Sequence, residues 1–244
     1  LQYENFDIVE VNDIESSNLQ KEIQDVDGIV LRTAHLSNDV LKNCPNLKIV
    51  SRHGVGYDNV DINFLSQRKI ALAVTGTANA ISVAEHVMAF FLHLSKNINL
   101  SDSLTRKGQF EEKNRLPDFY ELYQKNVLIF GFGRIGQAVA KRCHGFEMNV
   151  YVFDPFVEEK LISSMGCQQI SKDEGLKISA YISMHLPLNE KTKNFIGIDE
   201  FQIMKPNCIL VNTARGGVVD EQSLYEALEK KQIAGAGLDV FEQE

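Results

Sequence analysis

The residues best placed for chemistry cluster where apolar runs end. Gly131-Phe132-Gly133-Arg134-Ile135-Gly136 follows the apolar stretch Val127–Ile129 and opens the helical pattern QAVAKRCHGF. A turn of this spacing between strand and helix gathers backbone N–H groups and the positive end of a helix dipole, which suits the pyrophosphate of a dinucleotide. Gly131 permits the tight turn, Gly133 leaves room beside the backbone, and Gly136 lets the helix approach the strand. A second apolar run, NVYVFD, ends in Asp154, 23 residues beyond Gly131. A carboxylate there accepts from ribose hydroxyls and repels a 2′-phosphate, which favours NAD over NADP. The alternative is a structural glycine turn with a surface aspartate.

Arg215 lies in CILVNTARGGVVDE, beyond a strand that ends at Asn212. Ligands of open α/β sheets lie outside the carboxyl ends of the strands. A guanidinium there can hold a carboxylate in bidentate fashion and polarise an adjacent carbonyl, or it can simply cap a turn. RHGVGYD (52–58) follows LKIVS, and its two glycines around Val55 read either as an anion nest or as a plain turn. Arg32 ends GIVLRT at the same kind of edge, facing substrate or a surface acid. His53, His86, His93 and His185 are the tempting histidines, but none stands beside a carboxylate in a spacing that demands acid–base work. His86 and His93 read as packed or solvated positions of a long helix.

The elements behind these residues alternate apolar runs with amphipathic helices, the pattern of an α/β protein with parallel sheets. Runs at Phe6–Val11, Gly28–Arg32, Leu47–Ser51 and Ala71–Val74 predict one small open sheet over residues 1–74, with helices at Ser16–Asp25, Asn38–Asn43 and Asp61–Arg68, the last capped by Asp61. A long helix follows over Ser82–Asn97, then a polar stretch without clear periodicity, Ser101–Gln124, which reads as a helix end plus an excursion. Strands are predicted at Lys125–Gly131, Asn149–Phe153, Ala180–His185, Cys208–Asn212 and Ala234–Val240. The helices among them fall at Arg134–His144, Glu158–Met165, Asp199–Met204 and Glu221–Lys230. The second domain thus spans 75–244.

The 244 residues suffice for two domains, and 44% hydrophobic with 24% charged residues is ordinary for a globular chain. A net charge of −8 argues against a nucleic-acid surface. No apolar run approaches the roughly 18 residues of a membrane span, and LQYENFDIVE is no signal peptide. Four cysteines without CxxC spacing read as reduced thiols of a cytoplasmic protein, with no metal framework. The chain opens without Met and stops directly after a strand, so both ends read as cut.

RHGVGYDNVD (52–61), ANAISVAEH (78–86), GFGRIGQAVA (131–140), FDP (153–155), HLPLNEKT (185–192), NTARGGVVDE (212–221) and IAGAGLDVFEQE (233–244) occur in that order over nearly the whole chain. In these segments the chain resembles the D-isomer-specific 2-hydroxyacid dehydrogenases, especially the phosphoglycerate-dehydrogenase-like members. The resemblance implies a flavodoxin-like substrate domain, incomplete here, and a Rossmann domain, with NAD between them. It implies reversible hydride transfer between nicotinamide and a small 2-hydroxy/2-oxo acid. Arg215 would bind and polarise the substrate, and Glu244 would orient the catalytic histidine. Asp239 would hold the carboxamide. Val55, Arg134, Ile135, Asp154, Leu186, Thr213 and Ala214 would line the cofactor, and Val55–Gly56 would meet the substrate carboxylate. Arg32-Thr33 resembles the substrate loop of phosphoglycerate dehydrogenases, and Arg52 could add charge; glyoxylate, hydroxypyruvate or lactate chemistry are the rivals. Family members commonly dimerise through the helix and arm, here about 82–124. The family's acid–base histidine would lie past residue 244, so poor turnover is expected of this chain alone. A non-catalytic NAD-sensing protein of the same fold is the alternative. A third reading, an adenosylhomocysteinase-like or alanine-dehydrogenase-like enzyme, is disfavoured by NTARG and LDVFEQE.

Overall fold

The computed structural model describes residues 6–11, 19–34, 37–57, 59–76 and 78–243. The chain divides into two compact units, Leu1–Asn79 and Ala80–Glu244.

In the first unit, α1 (Leu19–Ile23), β1 (Gly28–Leu31), α2 (Asn38–Lys42), β2 (Ile49–Arg52), α3 (Ile62–Gln67) and β3 (Ala71–Val74) alternate. The strands form a parallel sheet in the order β1-β2-β3. Its core gathers Leu19, Leu31, Leu41, Val50 and Leu65 from both element types. Asp61 caps α3 as expected, accepting from the Phe64 N–H at 2.9 Å. The expected strand Phe6–Val11 does not form. Most of its apolar side chains stay outside the core, with Phe6 73% and Ile8 68% exposed, and Val11 alone of the segment packs against it. Val9 and Val11 border a cavity of about 290 Å³ against β1 instead of joining its ladder.

The second unit opens with α4 (Ala80–Ser95), which starts two residues before its expected first residue. It ends at Ser95 because Asn97 turns left-handed, with φ 46°. Where a helix end and an excursion are expected, a separate helix, α5 (Ile98–Arg106), and a 3-10 turn, Phe110–Arg115, form. There follow β4 (Asn126–Phe130), α6 (Arg134–Gly145), β5 (Asn149–Phe153), α7 (Glu159–Ser164), β6 (Gln168–Gln169), α8 (Lys172–Ile178), β7 (Tyr181–Met184), α9 (Ile198–Ile203), β8 (Ile209–Asn212), α10 (Glu221–Glu229) and β9 (Gly235–Leu238). Neither β6 nor α8 is among the elements expected from the sequence.

The six strands are parallel in the order β6-β5-β4-β7-β8-β9. The order reverses between β4 and β7, the topological switch point of a doubly wound sheet. Helices cover both faces, so β7 and β8 are buried along their whole length. Val127, Ile129, Val150 and Val211 pack on the α4–α6 side, and Leu128, Phe130, Ile182 and Leu210 on the α8–α10 side. Among the described residues, no helix is long and apolar enough to cross a membrane.

Candidate active site

Strand register builds the site edge. Phe153, Phe130, Met184, Asn212 and Leu238 stand side by side across β5, β4, β7, β8 and β9. The next residue of each strand therefore leaves the sheet at the same carboxyl edge. These residues are Asp154, Gly131, His185, Thr213 and Asp239. Of them, Asp154, Gly131, Thr213 and Asp239 had been picked out for the cofactor from sequence.

At the switch point Gly131 has φ 90°, and a Cβ there would lie 2.6 Å from the His185 carbonyl oxygen. That conformation and that neighbour both require glycine. A Cβ on Gly136 would lie 2.1 Å from the Gly131 oxygen, so α6 starts flush against the turn. Gly133 differs: nothing lies within 4 Å of its Cβ position. It is the N-cap of α6 and provides no side-chain cap, which leaves the helix N-terminus facing open space beside Arg134 and Ile135. Beneath the turn, Phe130 packs edge-on against Phe153 and Phe195, and the Lys172 ammonium sits 4.2 Å from the Phe195 ring centre.

The Asp154 carboxylate is tied to this turn. One oxygen accepts the Phe132 N–H at 2.7 Å and the other the Phe156 N–H at 2.9 Å. Each oxygen keeps a second lone pair for a hydroxyl. Two buried polar atoms at the same edge have no protein partner, Thr213 Oγ1 and His185 Nδ1. Orphaned polar atoms of this kind call for a partner. Together with the open space at Gly133, they fit a bound dinucleotide.

His185 is no proton shuttle. Its Nε2 lies 2.8 Å from Ser183 Oγ, and burial pushes its pKa down to about 3, so it stays neutral near pH 7. His86 lies 3.5 Å from Asp239 and edge-on to Phe90. Burial raises the pKa of Cys143 and Cys208 to about 12 and of Cys167 to about 11, which leaves them as unreactive thiols. Among the described residues no three His, Cys, Asp or Glu side chains gather as metal ligands.

Arg215 stands in extended conformation just before a 3-10 turn, Gly216–Val218. It is half-buried, and its Nη1 donates to the Ala214 carbonyl at 2.6 Å. Asn212, which had not been singled out, braces this turn from below. The available signal was an Asn closing an apolar run with a small residue two positions on, an Asx-turn pattern. Leu186 adjoins the Gly131 turn. Glu244 lies outside the described residues.

Arg32, Val55 and Gly56 belong to the first unit. Arg32 follows β1, and Val55–Gly56 lie in the loop after β2. Leu31 pairs with Arg52 in register, so Arg32 and His53 leave neighbouring strands together. The Arg52 guanidinium folds over Gly54, where a Cβ would lie 1.0 Å from Nη1, and its Nε is buried without a partner. Neither arginine forms an ion pair with any described residue.

Residues 88–244 match the model of the D-isomer specific 2-hydroxyacid dehydrogenase, NAD binding domain. The chain is 38% identical over 228 residues to a D-3-phosphoglycerate dehydrogenase of Methanocaldococcus jannaschii, covering 93% of this chain and 43% of that protein. It is 36% identical over 241 residues to a glyoxylate reductase of Pyrococcus furiosus, covering 96% of this chain and 72% of that one. The fold superposes with a TM-score of 0.85 on D-lactate dehydrogenase from Aquifex aeolicus complexed with NAD and lactic acid, at 32% identity over 92% of this chain and 67% of the other. The chain belongs to the D-isomer-specific 2-hydroxyacid dehydrogenase family, and its second unit contains the family's NAD-binding domain. It spans less than half the length of its phosphoglycerate dehydrogenase relative.

Proposed function

We propose that the protein interconverts a small D-2-hydroxy acid and its 2-oxo acid with NAD. The observation that carries this reading is one sheet edge holding both a ligand-ready glycine turn and, two strands away, a braced turn bearing Arg215. The α6 N-terminus receives the pyrophosphate, Asp154 the ribose hydroxyls, and Asp239 the carboxamide. Val55, Leu186, Thr213 and Ala214 line the cofactor. Bound NAD supplies the two-electron carrier, taking hydride from the hydroxy acid and returning it to the oxo acid. Arg215 holds the carboxylate in bidentate fashion and polarises the oxygen on C2. Val55–Gly56 add backbone donors, and Glu244 orients an acid–base histidine.

Arg32 and Arg52 favour a substrate with a second anionic group, 3-phosphoglycerate. Two neighbouring cations without an ion pair among the described residues repel each other, and an anion relieves that. We also propose a homodimer through residues 82–124, supported by the exposed apolar side chains Ile98, Leu100, Phe110, Phe119 and Tyr123 on that arm. The four buried, free cysteines support a cytoplasmic setting.

The test is NADH oxidation with phosphohydroxypyruvate, hydroxypyruvate, glyoxylate and pyruvate. Arg215→Gln is expected to lower kcat/KM by about 10²–10³-fold. NADH binding without reduction of any 2-oxo acid, in a chain that also carries the acid–base histidine, would make the protein a non-catalytic NAD reader. Sedimentation tests the dimer, and a monomer at micromolar concentration excludes it.

A further inference from the structure

Asn212 is 1% exposed, and three of its polar groups are engaged around the arginine turn. Its Nδ2 donates to the Arg215 carbonyl at 2.8 Å, and its Oδ1 accepts from the Ala214 N–H at 3.0 Å. Its backbone carbonyl accepts the Asp239 N–H at 3.0 Å. The side chain closes the turn and the backbone ties it to the end of β9. The chain beyond Asp239 then passes directly over the turn. A Cβ on Gly216 would lie 2.1 Å from the Phe241 carbonyl carbon and 2.5 Å from the Glu242 nitrogen. That nitrogen donates to Glu221 Oε1 at 2.6 Å. Glu221 opens α10, where the helix dipole favours a carboxylate. The strip Asp239–Glu242 is thus bonded at both ends and pressed against Gly216 between them.

We propose that Asn212 and Glu221 are positioning residues. They join the Arg215 turn and the Asp239–Glu242 strip into one frame that fixes the arginine relative to the aspartate. The proposal rests on the roles given above to Arg215 and Asp239. A group displaced by about 1 Å can cost on the order of 10²-fold in a reaction, so a frame of this kind matters without meeting the substrate.

The test compares Asn212→Asp, Glu221→Ala and Glu221→Gln with the unaltered protein. Asn212→Asp keeps the acceptor for Ala214 but loses the donor to Arg215. Glu221→Ala removes the acceptor at a half-exposed position without burying a charge, so it reports even if Asn212→Asp fails to fold. Glu221→Gln restores an acceptor. Binding of NADH, and of oxamate to the NADH-saturated protein, is measured by fluorescence, with amide exchange of peptides covering 211–218 and 239–243. Asn212→Asp and Glu221→Ala are expected to weaken oxamate about tenfold or more while NADH changes less than about threefold, with Glu221→Gln close to the unaltered protein. Unchanged oxamate binding, or equal weakening of NADH and oxamate, overturns the proposal. If the unaltered NADH complex takes no oxamate, the 2-oxo acid reading fails separately and exchange decides the frame. Glu221→Ala must then speed exchange in both peptides; an effect confined to 239–243 overturns it.

Discussion

The turn after β4 and the turn after β8 leave the same sheet edge, and each contains glycines, yet the space those glycines free is used differently. At Gly133 the missing side chain leaves open space in front of an uncapped helix. At Gly216 it leaves room for backbone from Phe241 and Glu242. The first turn is shaped for a ligand, the second for another stretch of the protein. Polar satisfaction follows the same division. Asn212 finds partners on the turn it braces, whereas Thr213 Oγ1 and His185 Nδ1 at the neighbouring strand ends have none. Identical residue types thus face open space in one case and form an internal joint in the other, and only the neighbours tell them apart.

Substitution at the first turn sharpens this contrast most. Gly136→Ala places a methyl against the Gly131 carbonyl, a backbone atom that cannot rotate away. A loss of about 3 kcal/mol is expected from such overpacking, lowering Tm by roughly 6–12 °C in a unit of this size; an unchanged melting curve would remove close helix–turn packing from the account. Gly133→Ala should do the opposite. Its backbone, at φ −71°, accepts alanine, so Tm should hold while NADH affinity falls about tenfold or more, equivalent to about 1.4 kcal/mol. Full NADH affinity in that variant would show that the open space is not ligand space. The most gradual effect concerns the loop between the two turns. The pKa of His185 is about 3 in the folded protein against an ordinary 6.5. The unfolded chain therefore takes up a proton first as pH falls, and the folded protein loses stability from about pH 6.5 downward. One proton gives a slope of at most about 1.4 kcal/mol per pH unit. Urea unfolding of His185→Gln between pH 7 and 5 should show a shallower pH dependence, and equal slopes would show that the imidazole is not held neutral by burial.

Much of this edge was readable beforehand because its signals are local. β5 runs over Asn149–Phe153 as the apolar run predicts, and the G-x-G-x-x-G spacing placed the start of α6 at Arg134. α8 escaped because KDEGLKI carries a central glycine. Gly175 is there so that Leu128 can approach, since a Cβ would lie 2.8 Å from Leu128 Cδ1. The Ser171-x-x-Glu174 spacing was the usable start signal, and Ser171 does accept from the Glu174 N–H. β6 is two glutamines long, too short and polar for any periodicity. Phe6–Val11 misled in the other direction, since alternation describes a strand only when a neighbour pairs with it. Asn212 offers only a local turn signal, whereas Glu221 offers none, because its partner is the backbone N–H of Glu242, 21 residues away.

β9 carries a last consequence. It is one of the two edge strands of its sheet, and two of its four residues are glycines. Phe90 of α4 fills the place of a side chain at Gly237, and Leu94 approaches Gly235. On the face toward α4 the strand has no side chains of its own, while Ala236 and Leu238 pack on the opposite face, so part of its cohesion waits for that helix to dock. Its opening should therefore be sub-global, at a free energy below that of the whole unit, with amide exchange at Gly235–Leu238 faster than at β4. Asp239 follows this strand, so on the role proposed for it the nicotinamide end of the cofactor would be held at an edge of the sheet and the pyrophosphate end at its centre.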